Sequence, residues 1–453
     1  MVNSMWLTLS ETTMIEYKQS LEEGRMVEPY KDEAIMIRSL FEKGVLMEKE
    51  AAALLEKMKN APVRADYGYV EPSDYQGILD ECSDVERTPV KICRESLKDK
   101  IYGAWLARCV GCLFGQPVEG WYRDRIVGLL KDTGNYPPKG YMSSAIDKKI
   151  RERYHVVDEG RVYGSNHINW INNVSFMPED DDTNYTVLCL KTVEEFGRNF
   201  TAEQMAHSWM MNLQFLHACT AERVAYRNFT NRIEPPYSAL YNNCYREWIG
   251  AQIRADLFGY INPGNPREAA RMAYNDASIS HVKNGIYGEM FVAAMLAKAA
   301  VSDNVKEIID AGLAEIPKSS RLREAIDRVF SWYYDEKISS EEAQNRIHEL
   351  YDEKDNHDWC HTISNAMICT IALLWGELDL EKTIGIAVTS GFDTDCNGAT
   401  TASIVGMVLG ASSLPEKWVS PLNDTIISGI DGFGRVAISS LAERTLNLIE
   451  EGK

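Results

Sequence analysis

The chain has 453 residues, of which 45% are hydrophobic, so it is long enough to bury a substantial core. Acidic residues outnumber basic ones by 67 to 48, giving a formal net charge of −19 at pH 7. This excess argues against nucleic acid or an anionic membrane as the partner, because both bind through clustered positive charge. No apolar run is as long as a membrane span and no secretory signal opens the chain, so a cytoplasmic location is expected.

The predicted elements divide the chain near residue 95. Before it, helical spacing predicts helices over about 10–24 and 30–60, and residues 61–95 indicate an ordered connector. After it, helical patterns dominate and no two strands pair across a tight turn. We therefore expect an N-terminal helical extension over 1–95 and a compact, all-α, multi-helix domain over 96–453. The helices predicted there span 96–115, 183–197, 202–220, 267–279, 285–301, 321–335, 340–350, 361–376, 380–390, 397–411 and 434–451.

Two of these helices carry small residues at every fourth position. Positions i and i+4 lie on one face of a helix, so small residues there form a flat groove that another helix can approach closely. Glycine within a helix costs about 0.5–1 kcal/mol relative to alanine, so its repeated use on one face predicts tight central packing. The residues are Gly103, Ala107, Gly111 and Gly115 in the first helix, and Gly398, Ala402, Gly406 and Gly410 in the second.

Two aspartate clusters stand at the start of predicted helices. Residues 178–186 read PEDDDTNYT, and residues 389–398 read TSGFDTDCNG. A helix N-terminus favours negative charge by only about 0.3–1 kcal/mol, which does not compensate three adjacent carboxylates. If packing brings the clusters together, their five aspartates would suit hard cations such as Mg²⁺, which prefer oxygen ligands.

A calcium-binding EF-hand is excluded by the spacing. Counting from Asp393, the twelfth position is Ile404, where the loop requires a glutamate. Counting from Asp180, the sixth position is Tyr185 instead of glycine, and the twelfth is Lys191.

Two further candidates lie outside the aspartates. The pair in HDWCHT has the i, i+4 spacing of zinc ligands, but no HExxH glutamate lies between the histidines, so a zinc peptidase is disfavoured. An aromatic wall could stack a sugar or a base, although aromatic residues more often belong to the core. Its members would be Tyr163, His167, Trp170, His357, Trp359 and His361.

In order along the chain, these motifs resemble those of the ADP-ribosylglycohydrolases. GAWLARCVGCLFGQPVEG at 103–120 is similar to the family's first helix, DDDT at 180–183 to its T-D-D-T motif, and GFDTDC at 391–396 to its G-G-D-T-D-T motif. ASISHVKNGIYG at 277–288 resembles the family segment beside the substrate. The resemblance spans about residues 98–415 and implies an all-α fold that holds two Mg²⁺ ions.

The resemblance also implies a role for each matched residue. Glu119 and Asp181 would be the catalytic carboxylates, with Glu119 acting on water or gating the metal. For His281, a hydrogen-bonded histidine packed between helices is an equally good interpretation. The implied metal ligands are Asp180, Asp181, Asp182, Asp393, Asp395 and Cys396. The implied substrate-binding residues are His281, Arg254, Gly115 and Asn284.

Several positions depart from the family pattern. Cys112 stands where the family has an aspartate, and Cys396 stands where it has a threonine ligand. Because sulfur is a soft ligand, a divalent ion other than Mg²⁺ remains an alternative. Bulky residues in NCYREWIGAQIR at 243–254 would obstruct the close backbone approach that a pyrophosphate needs. The sugar could therefore be ADP-ribose or another ribosyl or glycosyl group.

The expected function is that of a metal-dependent glycoside hydrolase acting on an N- or O-glycosidic bond. Such cleavage needs an acid for the leaving group and a base for water. The expected partner is a small glycoside or an ADP-ribosylated substrate, and the sequence does not indicate an oligomeric state. Two alternatives stay open: a non-catalytic binding or structural protein on the same fold, and a metal-dependent hydrolase of another bond, such as a phosphoester.

Overall fold

The computed structural model describes residues 5–83, 92–162 and 165–450. Within these ranges the expected all-α fold is confirmed, and the strands form only two small antiparallel sheets. Strand β1 (Glu159–Val162) pairs with β2 (Ser165–His167), and β3 (Thr425–Ser428) pairs with β4 (Gly434–Ala437). None of the helices in the described part of the chain combines the length and the apolar character needed to cross a bilayer.

The N-terminal extension holds helices α1 (Leu9–Glu22), α2 (Lys31–Glu42), α3 (Glu48–Lys59) and α4 (Tyr75–Glu81). The prediction of one helix over 30–60 was wrong, because α2 stops at Glu42. Gly44 follows with a φ of +80°, and the amide of Val45 donates back to the Leu40 carbonyl, so a glycine C-cap separates the two helices. The first three helices bury a small core of their own, which includes Tyr17, Val27, Ile37, Leu54 and Met58.

Buried ion pairs attach this extension to the rest of the chain. The Arg246 guanidinium lies 2.7 Å from both Glu16 and Glu23 of the extension, and all three side chains are at most 5% exposed. Gln19 donates to Glu247 at 2.8 Å. Breaking a buried pair leaves an uncompensated charge, so these contacts hold the position of α1 firmly.

The remaining helices begin at α5 and confirm most of the predicted segments to within a few residues. They are α5 (Arg94–Gly115), α6 (Arg123–Asp132), α7 (Lys148–Arg153), α8 (Asp181–Phe196), α9 (Ala202–Asn212), α10 (Thr220–Thr230), α11 (Asp256–Tyr260), α12 (Pro266–Ala277), α13 (Asn284–Ala299), α14 (Val305–Leu313), α15 (Arg321–Phe330), α16 (Ser340–Leu350), α17 (Asn356–Cys360), α18 (Thr362–Gly376), α19 (Leu380–Thr389), α20 (Thr394–Leu409), α21 (Glu416–Val419) and α22 (Ile438–Glu450).

Two predicted helices extend too far. The helix predicted over 202–220 ends at Asn212, because the backbone of Leu213 is extended. A single 3₁₀ turn follows at Phe215–His217. The segment predicted from 434 begins instead as strand β4, where Gly434 has a φ of +53° and pairs with Ser428. A positive φ is incompatible with a right-handed helix, so the last helix starts only at Ile438.

Helices α5 and α20 form the centre of the fold and run antiparallel. A Cβ atom on Gly398 would lie 2.6 Å from the Gly111 carbonyl oxygen, and one on Gly103 would lie 2.7 Å from that of Gly406. Those distances leave no room for a side chain, so the predicted tight packing of the small residues is confirmed. Helices α13 and α18 also pack against α20, and nearly all of their residues are buried.

Candidate functional site

The antiparallel α5–α20 pair determines where the acidic residues meet. A Cβ atom on Gly115, the last residue of α5, would lie 2.5 Å from the amide nitrogen of Asp395. The Thr394 hydroxyl donates to the Gly115 carbonyl at 3.0 Å. The start of α20 therefore lies directly against the end of α5, a few residues before Glu119.

The start of α8 completes the same site. Asp180 is the N-cap of α8, and one of its oxygens accepts from the Asp182 amide at 3.0 Å. Its other oxygen accepts a hydrogen bond from the Gln116 side-chain amide at 2.7 Å. The side-chain amide of Asn169 in turn donates to Gln116 Oε1 at 2.9 Å. Gln116, which follows α5 directly, thus joins the two aspartate motifs.

Together these elements form the aspartate cluster, which we define as Asp180, Asp181, Asp182, Asp393 and Asp395. The ligand atoms of Cys112, Asp180, Asp182 and Asp395 all lie within 4.8 Å of one another. Those of Asp393, Asp395 and Cys396 form a second group within the same limit. Asp395 belongs to both groups, so the acidic motifs that lie far apart in sequence make one continuous set of carboxylates.

Arg108 of α5 supplies positive charge to this cluster. Its guanidinium is fully buried, 3.1 Å from Asp182 and 2.8 Å from Asp256. An arginine within the apolar run of α5 is a signal for a buried carboxylate partner, although the sequence does not say which one. Because Asp256 also takes part of this charge, Arg108 does not neutralise the cluster.

The remaining negative charge shifts the acid–base equilibria of the site. Burial and the neighbouring carboxylates raise the pKa of Asp181 and Asp395 well above the usual aspartate range. Desolvation within the acidic cavity, followed by the charges of Asp393, Asp180 and Asp182, raises the pKa of Glu119 to about 8, although the residue as a whole is exposed. In the absence of a cation the site therefore holds protons at neutral pH.

The donor set fits divalent cations. Asp182 Oδ2 and Asp393 Oδ1 are buried, and no nitrogen or oxygen donor among the described residues reaches them. Carboxylate oxygens in this number suit hard cations such as Mg²⁺. The two thiols are buried beside aspartates, which raises the pKa of Cys112 and Cys396 and keeps them protonated. These acidic groups are thus able to bind metal, mainly through oxygen.

The aspartate cluster opens onto a cavity of about 700 Å³. On the acidic side, the described lining residues are Glu119, Asp181, Asp393, Asp395 and Cys396. The opposite walls are formed by Trp6, Leu216, His217, Cys219, Thr220, Glu222, Ile249, Gly250, Ile253, Trp359 and Cys360. Such a cavity, apolar with convergent polar groups on one side, is typical of a small-molecule site.

Arg254 does not line this cavity. Its guanidinium is fully buried, 3.0 Å from Glu222, 2.5 Å from Asp276 and 3.6 Å from Glu289. We call these four residues the Arg254 cluster. All the nearby carboxylates compete for the guanidinium, so Arg254 neutralises buried acids, and only Glu222 of this cluster reaches the cavity wall.

The other three implied substrate residues also lie outside the cavity lining. His281 is fully buried, and its Nδ1 is 2.8 Å from the Ser280 hydroxyl. Burial and the nearby Arg254 charge hold the pKa of His281 well below its usual value. The side chain of Asn284 accepts a hydrogen bond from the amide of Leu322, at the start of α15. Gly115 packs against the backbone at the start of α20.

The two histidines of HDWCHT hold Glu22 of the extension. The Nε2 atoms of His357 and His361 lie 3.1 and 3.5 Å from its carboxylate. Trp248 Nε1 donates to His357 Nδ1, and the Ile363 amide donates to His361 Nδ1. Each Nδ1 is therefore an acceptor and each Nε2 carries the proton, an arrangement that binds a carboxylate and not a metal ion.

The predicted aromatic wall does not assemble as one surface. Trp359 lines the cavity, but Trp170 is fully buried and stacks edge-on against Trp121. His167 is exposed on strand β2 and lines a separate cavity. Tyr163 lies outside the described residues. Among the described members of this set, only Trp359 therefore lines the acidic cavity.

One lining histidine had no sequence signal. His217 lines the cavity, and its Nδ1 lies 2.6 Å from Glu179, the residue that precedes the DDD motif. Glu179 also accepts from the Asn184 side chain at 3.0 Å. A carboxylate that holds one ring nitrogen fixes the orientation of the imidazole, so His217 is an oriented polar group on the cavity wall.

Comparisons with known proteins agree with this architecture. No curated protein matches the chain. A solved structure described as an ADP-ribosylglycohydrolase-related protein complex is 15% identical, with a TM-score of 0.46, and its alignment covers 79% of this chain and 100% of that one. The family model described as ADP-ribosylglycohydrolase matches residues 94–453, which include every residue of the aspartate cluster. The chain therefore belongs to the ADP-ribosylglycohydrolase family.

Proposed function

We propose that this protein is a glycoside hydrolase that cleaves a ribosyl-type N- or O-glycosidic bond with the help of two divalent cations, Mg²⁺ in the first place. The observation that carries the proposal is the aspartate cluster at the cavity wall. Four of its five carboxylates are buried, Asp181 is partly exposed to the cavity, and Arg108 is shared with Asp256. Buried charges that lack partners are unfavourable unless a cation is bound, so the cluster is better suited to a ligand than to packing.

The arrangement of the cluster supports two ions. Asp180 and Asp182 would hold one ion and Asp393 the other, with Asp395 belonging to both groups. Asp181 lines the cavity beside them and would complete the set. When bound, such ions would supply Lewis acidity toward sugar hydroxyls and a water molecule. The thiol of Cys396 lies within the second group, and a softer ion would favour it.

Glu119 is the residue best placed to move a proton. It lines the cavity with Asp393 and Asp395, and desolvation together with the nearby carboxylates raises its pKa to about 8. Neutralising those carboxylates would lower this pKa, so that Glu119 accepts a proton from water near neutral pH and returns it to the leaving group. His217, oriented by Glu179, is a second group on the same wall that could hold the substrate.

We assign positioning roles to the four residues for which the resemblance implied substrate contact. Arg254 holds Glu222 at the cavity wall, and Gly115 lets α20 approach the end of α5. Asn284 and His281 pack beneath the site, where both are fully buried. Their substitution should act on folding and site geometry before it acts on substrate binding.

The test is the thermal stabilisation by Mg²⁺ and the hydrolysis of ribosides by the wild type and by Asp182→Asn combined with Asp395→Asn. The wild-type melting temperature should rise with Mg²⁺ by the amount that binding to the folded state predicts, and the double variant should lose both this rise and activity. Glu289→Gln is the matched control. Burial and Asp276 raise the pKa of Glu289 well above its usual value, so this change removes no charge at neutral pH.

The outcomes separate the proposals. If no divalent ion stabilised the wild type, this result would contradict the metal site and favour a non-catalytic protein on the same fold. Stabilisation without release of sugar from any glycoside, but with release of phosphate from esters, would favour a hydrolase of another bond. A loss of the Mg²⁺ response in Glu289→Gln as well would mean that the effect is not local to the aspartate cluster.

A further inference from the structure

We propose that the substrate is a glycoside without phosphate groups, and that its leaving group is planar and binds against Trp6 of the N-terminal extension. This inference rests on the proposed glycosidase function and specifies its substrate class. It depends on three features of the cavity: the charges on its walls, the state of the groups that could bind an anion, and the aromatic surface that faces the aspartate cluster.

The cavity walls offer no cationic side chain for a phosphate. Among the described residues that line the cavity, five are carboxylic acids and none is lysine or arginine. The five are Glu119, Asp181, Glu222, Asp393 and Asp395. A pyrophosphate normally binds to arginine, lysine or exposed backbone amides, so these walls offer it no cationic side chain of the kind it usually needs.

Two backbone segments of the cavity that could bind an anion are already occupied by the protein. Helix α10 begins at Thr220 on the cavity wall, but its first turn carries the Glu222 carboxylate, which takes the place of a bound anion. The Ile249 amide, in the segment where the family approaches phosphate, donates to the Cys360 carbonyl at 2.8 Å. The neighbouring Gly250 is covered by the Glu222 side chain.

Away from the aspartate cluster, the cavity lining includes aromatic and apolar side chains. Trp6 and Trp359 both belong to it, and both are partly exposed. Leu216, which is 51% exposed, lies there with Ile249 and Ile253. Aromatic faces bind planar groups by stacking, without any need for charge. A sugar held by the acidic side would place its leaving group toward this surface.

Trp6 is held in position by the docked extension. The Arg223 guanidinium lies over its ring, 4.5 Å from the centroid, and the Trp6 amide donates to Glu11 of α1 at 3.2 Å. Helix α1 is in turn attached through the buried ion pairs of Arg246. The family match begins only at residue 94, so this chain adds Trp6 to the cavity from outside the family domain.

The test compares two probes and two variants in the full-length protein with Mg²⁺. The probes are p-nitrophenyl ribofuranoside, in both anomers, and ADP-ribose, and calorimetry measures their Kd together with that of free ribose. For the wild type, one anomer of the aryl riboside should bind at least about tenfold more tightly than ADP-ribose. Trp6→Ala should weaken aryl riboside binding about tenfold, which is about 1.4 kcal/mol, while ribose binding stays unchanged.

Trp6→Phe should restore most of that affinity, because a phenyl ring still stacks. Met5→Ala changes the exposed neighbour, which does not line the cavity, and should have no effect. Tighter binding of ADP-ribose than of both aryl anomers, or an unchanged aryl riboside Kd in Trp6→Ala, would overturn the inference. Because these are binding measurements, they decide it even if no glycoside is hydrolysed, a result that would contradict the proposed function alone.

Discussion

The aspartate cluster and the Arg254 cluster both bury several carboxylates, but only in the Arg254 cluster does an arginine lie close to every acid. In the Arg254 cluster, one guanidinium lies within 3.6 Å of three acids and also faces the ring of Trp209 at 5.0 Å. Asp182 is the one member of the aspartate cluster that forms an ion pair with Arg108 among the described residues. The same guanidinium also pairs with Asp256, which lies outside the cluster. Every acid of the Arg254 cluster thus has a guanidinium within 3.6 Å, whereas among the described residues only Asp182 of the five aspartates has a cation so close.

This difference shows how buried acids can be interpreted. Burial by itself does not mark a functional site, since Glu289 is as buried as Asp182. The informative quantity is the charge left over after the protein's own cations are assigned, together with access to a cavity. On both criteria we interpret the aspartate cluster as the proposed metal-binding site and the Arg254 cluster as a structural element beside it.

The largest effect is expected from Arg254→Met. Removing the guanidinium leaves Glu222, Asp276 and Glu289 buried without a cation, which should lower the free energy of unfolding by about 3–5 kcal/mol. Urea denaturation measures the change, and Mg²⁺ should not reverse it. Arg328→Met, which removes an exposed pair with Glu324, is the matched control and should cost less than about 1 kcal/mol.

If Mg²⁺ restored the stability of Arg254→Met, the distinction between the two clusters would be wrong. The same would follow if the variant were as stable as the control, because the guanidinium would then not be needed to balance the three acids.

Arg108→Met should give a smaller effect that Mg²⁺ partly reverses. The change leaves Asp182 and Asp256 without their guanidinium, so the metal-free protein should be less stable by about 3 kcal/mol, at the low end for a buried pair. Bound cations would then neutralise Asp182 but not Asp256. Urea denaturation in EDTA and in Mg²⁺ should therefore show partial recovery, and no recovery at all would place Asp182 outside the metal site.

Gly398→Ala tests the packing that holds the aspartate cluster together. The new methyl group would lie 2.6 Å from the Gly111 carbonyl oxygen, so α5 and α20 must separate slightly. Overpacking of this kind costs about 1–3 kcal/mol. Because Asp395 is carried by the same helix, we expect weaker Mg²⁺ binding by calorimetry as well. Gly44→Ala, in an open turn of the extension, should lower stability but leave the Mg²⁺ affinity unchanged.

Much of the framework could be predicted from local patterns. The small residues of α5 and α20 recur at a helical spacing, and the two aspartate motifs open helices, so both features are visible in single segments of sequence. The errors also have local causes: Gly44 ends α2, and Gly434 begins a strand instead of a helix. Both glycines have a positive φ, which the helical pattern of the neighbouring residues did not reveal.

The rest of the site depends on partners that are distant in sequence. Gln116 reaches Asp180 across 64 positions, and Glu179 reaches His217 across 38. Trp6 joins a cavity built almost entirely by another part of the chain. Arg254 was associated with substrate by resemblance alone, and only the positions of Glu222 and Asp276 show what its charge neutralises. No spacing rule contains that information.

The smallest and most diagnostic effect should be the pH dependence of the metal-free protein. Glu119 has an ordinary pKa near 4.5 when unfolded and about 8 when folded, so the folded state binds more protons between these values. The free energy of unfolding therefore falls as pH rises from about 5 to about 8. Mg²⁺ competes with these protons, so its stabilising effect should grow over the same window.

Melting temperatures measured from pH 5 to pH 8.5, in EDTA and in Mg²⁺, follow both trends. Glu119→Gln should make the metal-free decline shallower, because it removes one of the groups with a raised pKa in this site. Glu289→Gln should leave the growth of the Mg²⁺ effect intact, because Glu289 belongs to the Arg254 cluster. An Mg²⁺ effect of equal size at pH 5 and pH 8 would mean that cations and protons do not share the aspartate cluster, and the two clusters would then differ only in structure.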